Sequence, residues 1–472
     1  MSSTSARTSS KYRIFCSTED KYVYQWGHVK PSTCPNNASH AVDTGSVSIV
    51  DEVIENSVKI VSGIDAFNRL RVSTPNTLFG SHYGQYEDGG IFTTKKIGGA
   101  TVSRTTNGRV VLSTSRTGDK AIFQTREYIP YQPGISRLCY MSGVLLDISG
   151  NAPLPNGVKS RIGVFDCHMD KNIDDSGDGH FFEYYNGVIS VVERSSTLGE
   201  PEHDEIVPQS EWNIDKLDGT GESQHVLDLR YGTIFVINLA WLGIGDTRMG
   251  VMANNEIIWC HSFIHNHHKG AYTKTAKLPV RYEIENISAG AAVYNANFIC
   301  CSIQSEGGFM PRGQRYSIPN YIESNITLNE TPILVLRTRA EKNRFSIVFR
   351  DIGVYTSSIC FFKILWNPTV QLGKYSGNKK DNIIEDPEWK IVDTSSIAEY
   401  TTDIISVEGG RTIHSFFAEG KDGITSTPEA NYLSIPALNA EIDGTQDILV
   451  VSACTLNGTA RCLTTISWMD VC

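Results

Sequence analysis

Apolar and polar residues alternate with a period of two along much of this 472-residue chain, which is the spacing of half-buried β-strands. The clearest stretch, residues 233–263, reads TIFVINLAWLGIGDTRMGVMANNEIIWCHSF. Its first two apolar runs flank the turn GIGD, and the tight-turn signal NNE precedes a third run. The pattern predicts an antiparallel meander of three strands.

Composition supports strands throughout the chain. Forty glycines and 17 prolines, with many Thr, Ser, Val and Ile residues, favour short strands joined by tight turns over long helices. A chain of this length is too long for one ordinary core. We therefore expect an all-β protein with two antiparallel β-sandwiches in series and a small β module in front of them.

The boundaries follow from changes in pattern. Residues 1–62 are predicted to form a leader and a small N-terminal β module, and residues 63–80 an extended linker segment. Residues 81–310 should form the first sandwich and 311–472 the second. Glycines and prolines in SEGGFMPRGQRYSIP mark the change between the sandwiches.

The segment DAFNRLRVSTPNTLF, which begins at Asp65, alternates in an unusual way. An extended backbone places Arg69 and Arg71 on one face and Leu70 and Val72 on the other. Such a strand suits a sheet edge or a neighbouring subunit, where arginines make forked contacts. The alternative is an internal strand that seals the first sandwich. The interface candidates are Phe67, Arg69, Leu70, Arg71, Val72 and Phe79.

Charge and hydropathy exclude some classes of partner. The formal net charge of −10 comes without any acidic or basic block, so a nucleic-acid groove is not expected. No run reaches the roughly 20 apolar residues of a membrane span, and the start lacks the apolar core of a signal peptide. The 11 cysteines are expected to be mostly reduced, buried thiols of a chain made in a cytosol.

Motifs that carry catalysis are missing from the sequence. It contains no GxSxG elbow, HExxH, Walker loop or CxxC pair. The glycines of GIGD do not form a phosphate-binding loop, because Arg248 stands at the third glycine position and no helix is predicted after it. We assign no catalytic residue, no cofactor-binding residue and no metal ligand, and expect a protein that is not an enzyme.

Two polar clusters contain residue types that bind metal ions. The first, WCHSFIHNHHKG, holds zinc-ligand types at Cys260, His261, His265, His267 and His268. Neighbours in a strand point to opposite faces, so Cys260 and His261 cannot both face one ion. The interpretation preferred here is a solvated loop that responds to pH near the histidine pKa.

The second cluster, DDSGDGHFFEY, resembles the start of a calcium loop. Asp174, Ser176, Asp178 and Gly179 occupy positions one, three, five and six, but Tyr185 stands where an EF-hand has glutamate. An irregular calcium site near Asp174 and Asp178 remains a weak alternative to an exposed turn.

Several strings resemble one family of viral proteins. DAFNRLRVSTPNTLF is similar to the AFGRLRVS-P-TLF signature of virion structural proteins from marine tailed phages and large double-stranded DNA viruses of algae and protists. Further similar strings occur in order along nearly the whole chain; they include IPYQPGISRL, FFEYYNGVISVVERS, VPQSEWNIDKLDGTG, AWLGIGDTRMGV, SEGGFMPRG and YRIFCSTEDKYVYQWG. Asn68 departs from the family glycine, and an Asp/Gly insertion after Phe165 lengthens one loop.

The resemblance implies location in the virion and lectin-like jelly-roll sandwiches. It implies a structural protein at the capsid surface, in a fibre or in a tail, which self-associates, by preference as a trimer, and docks to other virion proteins. One alternative is a host-attachment protein that binds surface glycans. Another is a sugar-cleaving enzyme, which would need two carboxylates about 5–10 Å apart in a groove.

Overall fold

The computed structural model describes residues 8–27, 30–54, 74–82, 90–106, 108–146, 156–167, 177–197, 203–266, 268–308, 313–342, 344–375, 384–419 and 437–471. Within these ranges the chain is built from antiparallel strands, with short 3-10 turns at Gln209–Glu211 and Ala340–Lys342. The chain divides into two compact units, Met1–Ile64 with Asn68–Arg71, and Asp65–Phe67 with Val72–Cys472. No helix in the described ranges is long and apolar enough to cross a bilayer.

The N-terminal module is a three-stranded sheet. Its strands are β1 (Thr8–Cys16), β2 (Lys21–Gly27) and β3 (Val42–Ile54), in the antiparallel order β2-β1-β3. Alternation along β1 turns Ile14 and Cys16 to the same face, where they are buried. Its core among the described residues is small and consists of Ile14, Cys16, Val23 and Cys34, with Val42 and Val47 packed against it.

The first sandwich contains β4 (Asn76–His82), β5 (Phe92–Ile97), β6 (Thr101–Thr105), β7 (Arg109–Thr114), β8 (Lys120–Thr125), β9 (Arg137–Val144), β10 (Val158–Phe165), β11 (Gly179–Tyr185), β12 (Val188–Ser195), β13 (His203–Pro208), β14 (Thr233–Leu239), β15 (Thr247–Ala253), β16 (Glu256–Phe263), β17 (Val280–Asn286) and β18 (Tyr294–Ser305). One sheet has the order β13-β12-β11-β10-β17-β8-β5. The other has the order β16-β15-β14-β9-β18-β7-β6, with β4 also paired to β18. The two sheets enclose one large apolar core.

The period-two pattern decides which side chains enter that core. In the seven-stranded sheet Ile162, Phe182 and Tyr282 stand opposite one another on neighbouring strands and are fully buried. Each such side chain contributes about 2 kcal/mol through removal of its apolar surface from water. Their sequence neighbours face the other side of the sheet, and that side carries charges.

The predicted meander is confirmed. β14, β15 and β16 pair in succession as antiparallel strands. Asn254 and Asn255 connect the last two strands with φ values of 53° and 63°, the left-handed backbone that a tight hairpin turn requires. The register between β15 and β16 shifts between Met249 and Gly250. Their partners are His261 and Trp259, so Cys260 lies between the two paired residues.

The second sandwich contains β19 (Gln314–Ser317), β20 (Ile322–Ile326), β21 (Thr331–Thr338), β22 (Ser346–Thr356), β23 (Cys360–Trp366), β24 (Thr369–Leu372), β25 (Lys374–Tyr375), β26 (Ile384–Glu385), β27 (Ala398–Thr401), β28 (Ile404–Glu408), β29 (Arg411–Ala418), β30 (Ile448–Thr455) and β31 (Ala460–Val471). One sheet pairs β31 with β22 on one side and with β19 and β20 on the other. The second sheet has the order β27-β21-β30-β23-β29, and two short ladders, β24-β28 and β25-β26, lie beside them. The predicted class, two antiparallel sandwiches in series behind a small β module, is therefore confirmed.

Buried ion pairs join the two sandwiches within the larger unit. The Arg344 guanidinium of the second sandwich contacts Asp166 of the first (Nε to Oδ2, 2.8 Å) and Asp178 (Nη1 to Oδ2, 3.2 Å). In the opposite direction, Arg126 reaches Asp447 at 2.7 Å and also pairs with Glu441. Because these charges are largely withdrawn from water, each depends on its partner across the junction.

The expected linker ends inside the first sandwich. Strand β4 overlaps the last residues of the segment 63–80 and pairs with β18, where Phe79 stands opposite Ile303. Phe79 packs against the large core and lies edge-to-face with Phe92, 6.0 Å between ring centroids. At least this part of the segment is a sheet strand of the sandwich. It agrees with the alternative interpretation of the sequence, in which the segment is an internal strand of the first sandwich.

Cysteines behave as small apolar side chains. All ten in the described ranges are free thiols, and each is buried except Cys300 and Cys454. Burial raises the pKa of Cys139 to about 11, so this thiol stays protonated and unreactive at neutral pH.

Candidate functional site

Most of the interface residues predicted from the sequence lie outside the part of the chain that the structure describes. Phe67, Arg69, Leu70, Arg71 and Val72 lie outside the described residues. Phe79, the remaining candidate, packs within the first sandwich. The search for a site therefore turns to the faces and loop ends of that sandwich.

The suggested calcium ligand Asp178 is already surrounded by protein donors. Its Oδ1 accepts hydrogen bonds from the Ser196 backbone N–H and hydroxyl, both at 3.0 Å, and from the Lys274 backbone N–H at 3.3 Å. Its Oδ2 faces Arg344. A guanidinium thus supplies the positive charge that an ion would bring, and Asp178 serves the sandwich junction; Asp174 lies outside the described residues.

The side of the seven-stranded sheet that faces away from the core carries a buried charge network. Arg161 stands directly between Glu183 and Glu283 on the neighbouring strands. Its Nε donates to Glu183 at 2.8 Å and its Nη1 to Glu283 at 3.1 Å. Arg281 donates to Glu283 from Nε at 2.5 Å, and the Lys120 ammonium lies 3.7 Å from the same carboxylate. Opposite charges that alternate across strands in this way stabilise the sheet.

This network holds Glu283 in its ionised form. Burial alone would raise the pKa of Glu283, but the positive charges of Arg281, Lys120 and Arg161 outweigh burial and hold that pKa well below its usual range. A carboxylate in this state carries no proton at neutral pH. The network can therefore hold strands together but cannot donate a proton from Glu283.

A second buried cluster lies between the sheets at one end of the sandwich. Glu193 stands opposite His180 in the strand register, and its Oε2 lies 2.9 Å from His180 Nε2. Nε2 of His265 lies 2.9 Å from both oxygens of the same carboxylate. The His265 ring stacks on Tyr272, with 3.6 Å between centroids.

Electrostatics fix the charges of this cluster. Burial would raise the pKa of Glu193, but the hydrogen bonds from His180 and His265 lower it to about 2. Burial would lower the pKa of His265, yet the hydrogen bond to Glu193 and its charge raise it above the ordinary value. Glu193 is thus an anion that favours a protonated His265.

This finding corrects the prediction for the histidine-rich stretch. His265 is 2 % exposed, so it does not belong to a solvated loop. His261 is also buried, and burial lowers its pKa to about 4. Cys260 and His261 do have different surroundings, because the Cys260 thiol enters the core and donates to the Met249 carbonyl at 3.3 Å. His268 is exposed as expected, and His267 lies outside the described residues.

His265 connects two loops that we name the loop platform, residues 240–246 and the described residues 264–266 and 268–273. Nδ1 of His265 lies 2.9 Å from the Gly245 carbonyl oxygen. The Tyr272 N–H donates to the Gly243 carbonyl at 2.9 Å, and Trp241 Nε1 donates to the Thr273 hydroxyl at 2.8 Å. The buried histidine cluster therefore sets the position of an exposed surface.

The platform carries apolar side chains to solvent. Leu242, Ile244 and Ile264 are 51 %, 52 % and 58 % exposed. The local sequence is constrained, because Gly243 has a φ of +83° and a Cβ at Gly245 would lie 1.6 Å from a backbone oxygen. Scattered single exposed aliphatics are ordinary, but three on loops joined by hydrogen bonds form a candidate contact surface.

Comparisons with known proteins give distant structural likenesses. No family model and no curated protein matches the chain. Among solved structures, a β-glucanase of Bacillus licheniformis has a TM-score of 0.28 at 12 % identity, covering 50 % of this chain and 98 % of that one. A legume lectin-like domain from Entamoeba histolytica has a TM-score of 0.30 at 9 % identity, covering 49 % and 98 %. The VIP36 exoplasmic/lumenal domain in its Ca2+/Man3GlcNAc-bound form has a TM-score of 0.29 at 9 % identity, covering 51 % and 93 %. No function follows from likenesses of this size, and the chain is classed as an all-β protein of antiparallel sandwiches on its own strand pairing.

Sequence reasoning missed both buried clusters. Glu193 and His265 are separated by 72 positions, and Arg161 and Glu283 by 122. The available signal was the spacing of charges two residues apart within apolar strands, as in VRYEIEN. That spacing shows that charges share one face but not which strands lie side by side.

Proposed function

We propose that this protein is a non-enzymatic structural component of a virion that acts by self-association and docking to other virion proteins. The family resemblance of its sequence supports the virion setting. The observation that carries the non-catalytic part is the charge network around Arg161, whose members are buried and paired with one another. Groups in that state stabilise a scaffold.

The loop platform is the surface proposed for self-association, and its occupant is a second copy of this chain. Leu242, Ile244 and Ile264 offer apolar area whose removal from water favours association. The hydrogen bonds that tie the two loops limit the entropy lost when they become an interface. A lasting interface buries on the order of 1,000 Å² or more, so the platform would form the centre of a larger contact.

Mass photometry of the full chain tests self-association. We expect an oligomer, by preference a trimer, that Leu242→Asp or Ile264→Asp dissociates at least tenfold more readily. Leu328→Asp is the matched control, since Leu328 is a 62 % exposed leucine of the second sandwich. A monomeric wild-type chain, or equal effects of the control, would reject the platform as the interface.

Proteomics of purified particles tests the virion setting. The protein should occur at a fixed stoichiometry in intact particles, and chemical cross-linking should join it to other particle proteins. Its presence only in infected-cell lysate, and never in particles, would contradict this part of the proposal.

Glycan binding is the second candidate function. Trp241 of the platform and the neighbouring Tyr131 are half-buried, with their rings edge-to-face and 5.9 Å between ring centroids. Aromatic rings offer the apolar faces on which sugars pack. A glycan array with the wild-type chain and Trp241→Ala decides, since binding that the variant loses supports attachment and a blank array removes it.

Sugar cleavage is the weakest candidate function. It needs one carboxyl group that keeps a proton at working pH as the general acid. Glu183 and Glu283 face each other across Arg161, but both are buried and both accept hydrogen bonds from its guanidinium, at 2.8 and 3.1 Å, so neither carboxylate is open to a sugar. We therefore propose no reaction for this pair.

A further inference from the structure

Four side chains of metal-ligand type gather in the N-terminal module. They are Cys16, Glu19, Cys34 and His40, and one ligand atom of each lies within 4.8 Å of the others. Both cysteines are buried, whereas Glu19 and His40 are half-buried. No local motif predicts this arrangement, because the cysteines are 18 positions apart and form no CxxC pair.

The sheet brings two parts of the chain together at this point. Cys16 is the last residue of β1 and stands opposite Lys21 on one side and Val42 on the other. Glu19 lies in the turn between β1 and β2, and His40 comes just before β3. The Ser17 N–H donates to the Ala41 carbonyl at 2.9 Å, which fixes the start of β3 beside that turn.

The loop that carries Cys34 and His40 is folded by its own polar side chains. Asn37 Oδ1 accepts from the Ser39 N–H at 3.0 Å and hydroxyl at 2.8 Å. The His40 N–H donates to the Asn37 carbonyl at 3.1 Å. The Asn36 amide donates to the two Glu19 oxygens at 3.2 and 3.0 Å. The ligand-type groups are therefore held in place by neighbours that are not ligands themselves.

The distances fit a tetrahedral site. Bonds of about 2.3 Å to sulfur and 2.0–2.1 Å to nitrogen or oxygen give tetrahedral edges of about 3.6 Å for sulfur to nitrogen or oxygen and about 3.3 Å for nitrogen to oxygen. Cys16 Sγ lies 3.7 Å from His40 Nδ1, and Cys34 Sγ lies 3.9 Å from Glu19 Oε1. His40 Nδ1 lies 3.0 Å from Glu19 Oε1. Each pair is within about 0.3 Å of the edge expected around one ion.

We propose that Cys16, Glu19, Cys34 and His40 bind one structural zinc ion. Two thiolates and an imidazole select a borderline-soft metal, and four protein ligands close the coordination sphere, as in structural zinc sites. Asn36 and the Lys21 ammonium, 2.8 Å from Glu19, orient the carboxylate from the second sphere.

The size of the module explains why it would need an ion. Among the described residues, half of the module's four buried core residues are the proposed ligands Cys16 and Cys34. Small β units with so little apolar burial depend on a metal or a disulfide for stability. The competing use of these two cysteines is a disulfide, which would remove both thiolates from the site.

Metal analysis of the full chain tests the proposal. Protein purified with reductant and desalted should retain one zinc per chain by mass spectrometry of the elements. After removal of zinc in denaturant, refolding with Co2+ should give thiolate-to-cobalt charge transfer and the visible bands of tetrahedral cobalt, which added Zn2+ abolishes. The cobalt spectrum does not depend on any variant being able to fold.

Matched cysteine variants locate the site. Cys34→Ser should lower retained zinc at least tenfold and remove the cobalt bands, whereas Cys454→Ser and Cys300→Ser, the half-exposed thiols of the larger unit, should leave both unchanged. Peptide mapping without reduction detects a Cys16–Cys34 disulfide. That disulfide, together with no cobalt bands after reduction, would overturn the proposal, as would a reduced chain that retains no metal.

Discussion

The N-terminal module and the first sandwich are both antiparallel β-structures, yet they are held together by different means. The first sandwich encloses 36 buried core residues in the described ranges, and the module encloses four. The large core leaves charged residues free to pair on the outer sheet face and at the junction. In the module the polar cluster itself must stabilise the fold. Two units with similar strand patterns can therefore differ in what stabilises them: apolar burial in the first sandwich, and specific polar contacts in the module.

Removal of the metal should have the largest effect, because it should destabilise the module and not the sandwiches. We expect a chelator at neutral pH to unfold the module while the two sandwiches stay folded, because Cys16 and Cys34 make up half of the core that the described residues of the module form. Limited proteolysis with mass spectrometry should show rapid cleavage within residues 8–54 and a protected body. Zinc should restore protection, and a module that resists the chelator would show that its small core suffices.

Loss of a junction charge should come next in size. Arg344→Met leaves the carboxylates of Asp166 and Asp178 buried without their shared counter-charge, and we expect a loss of about 3–5 kcal/mol in the free energy of unfolding of the body. Denaturant unfolding followed by circular dichroism measures this. Arg461→Met is the control, since Arg461 and Glu323 form an exposed pair, and it should have no measurable effect. Equal effects of the two variants would mean that the junction pairs are not essential.

The buried histidine cluster predicts a smaller dependence of stability on pH. The raised pKa of His265 contributes stability that is complete below its ordinary value of 6.5 and is lost as pH rises through the folded value. The lowered pKa of Glu193 contributes stability that is present above 4.5 and is lost as pH falls towards about 2. One proton limits the slope to about 1.4 kcal/mol per pH unit.

Thermal unfolding measured between pH 5 and 9 tests this dependence, because a histidine with a raised pKa releases its proton within that interval. His265→Gln should flatten the fall in stability above the ordinary histidine pKa, whereas His268→Gln, at an exposed position of the same loop, should keep it. Charges that also face His265, among them Asp246, act in the same direction as Glu193. The same slope in all three proteins would exclude His265 as its source.

Exchange of a half-exposed cysteine of the larger unit should have a small effect, and exchange of a buried one a larger effect. Cys454→Ser places a hydroxyl at a half-exposed position, and we expect a change within about 0.5 kcal/mol in the free energy of unfolding. Cys260→Ser instead buries a hydroxyl in the core and should cost about 1–3 kcal/mol. Chemical denaturation under reducing conditions compares them, and equal costs would show that the core around Cys260 adapts to polarity.

Strands were predictable because their signal is local. The run TRMGVMA became β15 and RCLTTISWMDV became most of β31, whereas IFVINLAWL is a strand only as far as Leu239, the end of β14. The hairpin followed from two asparagines that tolerate a left-handed backbone. The loop assignment of His265 was wrong because burial depends on Glu193, 72 positions away. Arg344 likewise meets Asp166 over a separation of 178 positions, and no local pattern reports such a pair.

The positions of β17 and β18 bear on the order in which the first sandwich can form. β17 lies between β10 and β8, and β18 lies between β9 and β7, so the latest strands in sequence occupy the middle of both sheets. Until they insert, earlier strands have unpaired edges open to wrong partners. During synthesis this sandwich cannot close before the ribosome has passed Ser305, and slow, chaperone-sensitive folding is the expected cost of such late insertion.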